Sequence, residues 1–210
     1  MSLFELTAPP SLAPLAGWRQ HGGQACKARQ LFFAPHVMII ADEPGTRRIY
    51  RVVNGCVALS QLLRDGRRQI IDIVGPGRLF GFGGSEHMAC MAESLTYTSL
   101  DVAPATLAQD VLNDEMTLFL DRILNHTTLL GRKNAREKVA TAVLDLLDQF
   151  ARKPGPGRKQ PATFNLYLSR SDLADWLGLT IETVSRCLNQ MKRDGILAFG
   201  QPEIITVLDL

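Results

Sequence analysis

Residues 168–197 decide how this chain is read: Leu168-Ser-Arg-Ser-Asp-Leu-Ala-Asp-Trp-Leu-Gly-Leu-Thr-Ile-Glu-Thr-Val-Ser-Arg186, then, four residues on, Met191-Lys-Arg-Asp-Gly-Ile-Leu197. Ser169-Arg-Ser-Asp172 is a capping box that predicts a helix from Arg170 to Leu177, stopped by Gly178. Thr180 can cap a second helix, Ile181 to about Arg193, which ends at Asp194-Gly195. Two apolar strands, Ile196–Phe199 and Ile204–Leu208, flank a Gly200-Gln-Pro202 turn. Helix, tight turn, helix and hairpin make a winged helix-turn-helix. On the second helix Ile181, Val184, Leu188 and Met191 share one face, expected to pack on Leu173 and Leu177. The opposite face carries Glu182, Ser185, Arg186, Asn189 and Arg193. In a major groove Arg can grip guanine O6 and N7 while Glu accepts from cytosine N4. Glu182 and Arg186 are four residues apart and are expected to steady each other. On an arbitrary helix such a pair is usually a solvated surface ion pair; the glycine turn ahead and the hairpin behind favour base reading.

Upstream, Lys153-Pro-Gly-Pro-Gly-Arg-Lys-Gln-Pro161 reads as an exposed loop and Phe164–Leu168 as a short strand. Asn134-Ala-Arg-Glu137 is another capping box, opening a helix with Val139, Val143, Leu146, Leu147 and Phe150 on its apolar side. Before it Met116, Leu120, Ile123, Thr127, Leu130 and Asn134 recur at steps of four and three, a coiled-coil seam whose simplest partner is a second copy of the chain. A long helix is expected to begin in the region of residues 106–116. Residues 30–103 read instead as short strands: Arg48–Val53 into Asn54-Gly55, Cys56–Leu63 into Asp65-Gly66, and Arg68–Val74 into Gly75-Pro-Gly77. Both Asn-Gly and Asp-Gly favour tight hairpins. Alternation at Val57 and Leu59 suggests a sandwich or jelly roll with those side chains inward. The expected division is an N-terminal segment over 1–30, a jelly roll over 31–105, a dimerisation helix over 106–133 and a winged helix-turn-helix over 134–210.

At 210 residues, 46% hydrophobic and 21% charged, the composition is that of an ordinary globular chain, which excludes disorder, collagen and disulfide miniproteins. Apolar runs such as Val37-Met-Ile-Ile-Ala41 fall far short of the roughly 18 residues a membrane span needs. With no secretion signal at Met1-Ser-Leu-Phe-Glu-Leu, a cytoplasmic location is expected. The net charge of +2 is too small to point to nucleic acid, but residues 131–210 hold 12 Lys+Arg against 9 Asp+Glu, so the basic excess sits at the C-terminal end. The cysteines at 26, 56, 90 and 187 include no C-x-x-C pair, so free thiols and no metal site are expected. No G-x-S-x-G, H-E-x-x-H, G-x-x-x-x-G-K or G-x-G-x-x-G argues for an enzyme.

The stretch Leu168–Arg186 with Met191–Leu197 closely resembles the helix-turn-helix signature of the Crp/Fnr superfamily of bacterial transcription regulators. Ile49-Tyr-Arg-Val-Val-Asn-Gly-Cys-Val57, Asp65-Gly-Arg67 and Gly77-Arg-Leu-Phe-Gly81 resemble its cyclic-nucleotide-binding-type jelly roll. The resemblance implies an α+β protein: jelly roll, long dimerisation helix, C-terminal winged helix-turn-helix. Glu182, Ser185 and Arg186 preceded by aliphatic Ile181 resemble the Fnr and FixK branches, whereas catabolite-activator relatives place an arginine at Ile181. By that resemblance the three would read a TTGAT-like half-site, a homodimer would span an inverted repeat, and the protein would contact RNA polymerase, as an activator more than a repressor. Arg170, Thr180, Thr183, Asn189, Arg193 and the basic residues of 152–159 would touch phosphates or flanking positions, setting register and not sequence.

Cyclic-nucleotide binders of this fold are similar in a Gly-Glu for the ribose and an Arg-Ser for the phosphate. Here Gly81-Phe82 and Glu86-His87 stand at those places, and no arginine lies between Arg78 and Arg122, so cyclic AMP is not expected. An Fnr-type iron–sulfur cluster is not expected either, since Cys26 alone lies near the N-terminus. No cofactor is assigned. An unidentified effector in the jelly roll, or haem through His21, His36, His87 or His126, stays open as the alternative. Cys187 follows Arg186 on the reading helix. It is either a small apolar filler or a thiol whose oxidation would set negative charge against DNA, and both readings remain.

Overall fold

The computed structural model describes residues 30–39, 48–81, 90–103, 109–151, 162–200 and 203–208. Among them, the N-terminal part forms two four-stranded antiparallel sheets. The strands are β1 (Gln30–Phe33), β2 (Met38–Ile39), β3 (Tyr50–Asn54), β4 (Val57–Leu62), β5 (Arg68–Val74), β6 (Leu79–Phe80), β7 (Met91–Ser94) and β8 (Thr98–Val102). One sheet runs β1-β8-β3-β6 and the other β2-β7-β4-β5. Val57, Leu59 and Val74 from one sheet meet Tyr50, Val52, Phe80 and Leu100 from the other in the jelly-roll interior.

The two dipeptide turns behave differently. Asp65-Gly66 closes a hairpin, β4 pairing with β5 from Val57↔Val74 to Leu62↔Arg68, with Gly66 at φ +86°. Asn54-Gly55, expected to do the same, does not: β3 pairs with β6 and β8, while β4 pairs with β5 and β7. The chain changes sheets there. Gly55 has the positive φ anticipated, +96°, but the turn passes so close to Tyr97 and Thr98 that an added Cβ would lie 2.5–2.7 Å from them. The positive φ and this close approach together fix the glycine.

Helix α1 (Gln109–Arg132) crosses the jelly roll and is anchored by Arg122, whose Nη2 donates to Asp72 Oδ2 at 2.7 Å and whose Nε contacts both carboxylate oxygens. Helix α2 (Ala135–Phe150) starts at Asn134, whose side chain accepts from Glu137 N at 3.0 Å while the Glu137 carboxylate accepts from Asn134 N at 2.9 Å. Then come β9 (Ala162–Asn165), α3 (Arg170–Leu177), α4 (Ile181–Arg193), β10 (Leu197–Gly200) and β11 (Ile204–Val207). The expected hairpin forms and gains a third strand, because β11 also pairs with β9. That upstream strand lies earlier than the sequence suggested: Leu166 and Leu168 are buried core residues beyond its end.

The β4 strand is buried from Val57 to Ser60 without alternation. Val57 and Leu59 face the sandwich as expected. Ala58 lies in a second core with Cys56, Ile70, Ile73 and Leu95, together with Leu129, Val139, Val143, Leu146, Leu173, Trp176, Leu177, Val184 and Leu188 of the helices. A sheet covered on both faces loses the period-two signal.

Candidate nucleic-acid interface

The reading helix is held from behind by α3. Ser169 Oγ accepts from Asp172 N at 3.1 Å, and Asp172 Oδ2 accepts from Ser169 N at 2.9 Å and Oγ at 2.6 Å. Gly178 ends the helix in the left-handed region (φ 60°, ψ 44°), a conformation cheap for glycine alone. Thr180 then caps α4, its Oγ1 accepting from Thr183 N at 3.2 Å. Val184, Leu188 and Met191 of α4 are buried against α3 and α2.

Ile181, expected with them, is 47% exposed. It is the first helical residue, and it stands exposed next to Glu182 on the outer side of the helix. Glu182, Arg186, Asn189 and Arg193 are exposed; Ser185 and Thr183 are half-buried. Glu182 and Arg186 do not form the expected ion pair. Arg186 Nη2 donates to Thr183 Oγ1 at 3.4 Å. The Glu182 carboxyl is drawn to its own backbone N–H and the Thr180 hydroxyl, which, with the Arg186 charge beyond, hold it below the usual carboxylate range. Free N–H groups in a helix's first turn compete well for a carboxylate. Arg193 Nη2 donates to Gln190 Oε1 at 2.6 Å.

Arg170, expected at phosphates, is half-buried with its guanidinium over the Phe199 ring, 5.4 Å from the centroid. Burial lowers its pKa, with Glu203 opposing. It braces the wing, a role that adjacent sequence does not reveal because Phe199 arrives from the following hairpin.

Along α1, Met116, Leu120 and Thr127 are exposed, and Ile123 is half-buried. Leu124, absent from the predicted seam, is exposed as well, so Met116, Leu120 and Leu124 make an apolar row at steps of four. Leu130, placed in the seam by spacing, packs partly on the chain's own core.

Cys56 is buried, Cys90 exposed and Cys187 half-buried, all as free thiols; Cys187 packs partly on the core. Burial, with Asp172 and Asp72 nearby, pushes the Cys56 thiol far up, leaving it unreactive. His36 is exposed and bonds Glu93 at 3.2 Å. His126 stacks on Trp176 beside a cavity of about 100 Å³ also lined by Asp72, Arg122 and Asp145, far below the roughly 300 Å³ of pockets for drug-sized ligands. Among the described residues no metal-binding cluster occurs, and no helix is long and apolar enough to cross a membrane. The expectations for His21, Cys26, Phe82, Glu86, His87 and the basic loop at 152–159 lie outside the described residues.

A capped helix presenting polar side chains, backed by a second helix and flanked by a wing, all mounted on a jelly roll, defines a DNA-binding transcription regulator. Residues 137–210 match the Crp-like helix-turn-helix domain family and residues 30–114 the cyclic nucleotide-binding domain family. The chain is 34% identical over 179 residues to the nitrogen fixation regulation protein FixK of Rhizobium meliloti, spanning 84% of this chain and 81% of that one. It is 30% identical over 194 residues to the transcriptional activatory protein AadR of Rhodopseudomonas palustris, spanning 87% and 78%. Its structure is similar to that of FixK2 from Bradyrhizobium japonicum, with a TM-score of 0.74 at 33% identity over 87% of this chain and 93% of that one. The chain belongs to the Crp/Fnr family of transcription regulators, with FixK proteins among its relatives.

Proposed function

We propose that this protein is a homodimeric transcription activator that binds a TTGAT-like inverted repeat and contacts RNA polymerase in the cytoplasm, without cyclic AMP or an iron–sulfur cluster. The observation that carries the reading is the two-sidedness of α4: Val184, Leu188 and Met191 buried, Glu182, Arg186 and Asn189 exposed. Arg186, with one long hydroxyl contact, is free to grip a guanine, and Glu182 to accept from a cytosine. Ser185 lies between them. Exposed Ile181 supports an added role, apolar contact with a thymine methyl, in keeping with a T-rich half-site. Thr180, Thr183, Asn189 and Arg193 flank the reading residues and would meet phosphates. Arg170 packs over the Phe199 ring of the wing.

The apolar row Met116, Leu120 and Leu124, with Ile123 and Thr127, supports pairing of two α1 helices. The activator reading rests on relatives such as AadR. Titration of an inverted-repeat duplex by fluorescence anisotropy tests the proposal: binding falls steeply with salt, and a duplex with scrambled half-sites competes poorly. Equal affinity for both duplexes would overturn base reading, and a monomer in sedimentation would overturn the dimer. Sensitivity to oxidation is part of the same proposal: peroxide taking Cys187 to a sulfinate would weaken DNA binding, and equal loss in Cys187→Ser would exclude it.

A further inference from the structure

The winged helix is not joined to the jelly roll by its connecting helices alone. Arg68, the first residue of β5, spreads its guanidinium over three carboxylates. Nη2 donates to Asp172 Oδ1 and Nε to Asp175 Oδ2 at 3.1 Å, both on α3. Nη1 donates to Glu93 Oε2 at 2.8 Å on β7. Beside it Gln69 Nε2 donates to the Trp176 carbonyl at 3.3 Å. A planar guanidinium holding several partners in fixed directions transmits orientation in a way a lysine cannot.

Asp172 serves both sides of this joint. Its Oδ2 closes the capping box with Ser169, and its Oδ1 takes Arg68. The carboxylate that starts the first helix of the DNA-binding unit therefore also ties that helix to the jelly roll. The Asp172 side chain is 6% exposed and that of Arg68 23%, so salt screens the contact far less than a surface pair. Burial works against the Asp172 charge, but the Ser169 bonds and the Arg68 guanidinium outweigh it and keep its pKa below the ordinary value. Beneath the ion pairs, Cys56, Ile70, Ile73 and Leu95 share one core with Leu173, Trp176 and Leu177. Domains joined by a large apolar interface do not swing freely.

We infer that Arg68, a jelly-roll residue, selects the spacer between the two half-sites by fixing α3, and with it α4, relative to the dimerisation helix. The inference rests on the dimeric, inverted-repeat reading proposed above. In a dimer, the second reading helix engages with an effective concentration set by how rigidly its position matches the site. Each added base pair moves the second half-site by about 3.4 Å and turns it by about 35°. A rigid pair of domains rejects such a change, and a loosened pair tolerates it.

The test measures anisotropy binding of the full chain to inverted repeats whose spacers differ by single base pairs, and to the best repeat with the Arg186-read base exchanged. Wild type, Arg68→Gln, Asp175→Asn and the double variant are compared. Wild type should prefer its optimal spacer over the neighbouring ones by about tenfold or more, and Arg68→Gln by about threefold or less. The penalty for the exchanged base should be the same in both. Asp175→Asn, which leaves the capping box whole and reports even if Arg68→Gln does not fold, should fall between. The double variant should resemble Arg68→Gln, because the two substitutions break one contact. An unchanged spacer profile in Arg68→Gln or Asp175→Asn overturns the inference. So does a loss equal at every spacer, which marks a residue needed for stability alone. A wild-type protein that binds a repeat no better than a single half-site refutes the dimeric reading, and the inference falls with it; that result comes from wild type alone and is distinct from the others.

Discussion

Helices α3 and α4 are consecutive, both capped by a hydroxyl at their N-termini, and put to opposite uses. Five of the eight residues of α3 are buried, including Asp172, against three of the thirteen of α4. Each begins with a carboxylate in its first turn. Asp172 is enclosed, bonded to Ser169 and paired with Arg68, whereas Glu182 stands in solvent. The difference separates two kinds of importance. Residues of α3 are committed to interior contacts and should answer in stability. Residues of α4 have few partners within the chain and should answer in what the protein binds.

The sharpest way to break that contrast is Arg186→Ala. A bidentate arginine–guanine pair is worth about 1–3 kcal/mol and a dimer makes it twice, so affinity for the inverted repeat should drop on the order of 100-fold while thermal unfolding stays put. A drop in melting temperature of similar weight would place Arg186 with the α3 residues. Next come the paired carboxylates. Asp172→Asn removes one partner of a buried ion pair and should cost about 3 kcal/mol in denaturant unfolding. Glu182→Gln should change stability by no more than about 0.5 kcal/mol yet alter base preference at the position it faces.

The pH dependence of the same pair sharpens the point. The folded pKa of Asp172 is lowered, so its stabilisation is complete above the unfolded value of about 3.9 and disappears as the pH falls through the lower folded value. The stability gap between wild type and Asp172→Asn should therefore hold constant from pH 7 to pH 5 and close only below about pH 4. A gap that closes earlier would mean that the contact is not the source of the stabilisation. Gly178→Ala is a smaller test. A Cβ there would meet only Leu130 Cδ2, at an ordinary 3.6 Å, so the cost is the left-handed backbone alone, about 1–2 kcal/mol. Of the two turn tests the smaller effect is expected from Thr180→Ala, which removes the α4 cap at about 1 kcal/mol and should weaken binding by a comparable factor, since the capped turn carries Glu182.

Local chemistry made much of this legible beforehand. The boundaries of α3 and α4 follow from Ser169, Gly178, Thr180 and the Asp194-Gly195 stop, because capping involves atoms within a few residues of each other. The features that differ depend on distant neighbours. Asn54-Gly55 looks like Asp65-Gly66 in sequence, and only the pairing of β3 with β8 shows that it changes sheets. Ile181 continues the apolar stripe of α4, yet at the start of the helix it stands 47% exposed. Arg170 and Leu130 read as outward-facing in the sequence, and both are half-buried, one over the Phe199 ring and the other against the protein's own core.

By itself the sequence determined the helices of the C-terminal unit, their caps and the residue types α4 can offer to a base edge, since each depends on interactions spanning four residues or fewer. The tertiary structure alone decided which of those side chains stay free and how the reading helix is held. Arg68 and Asp172 are 104 residues apart in the chain, and a contact between side chains so far apart leaves no periodic or local mark for a sequence to show.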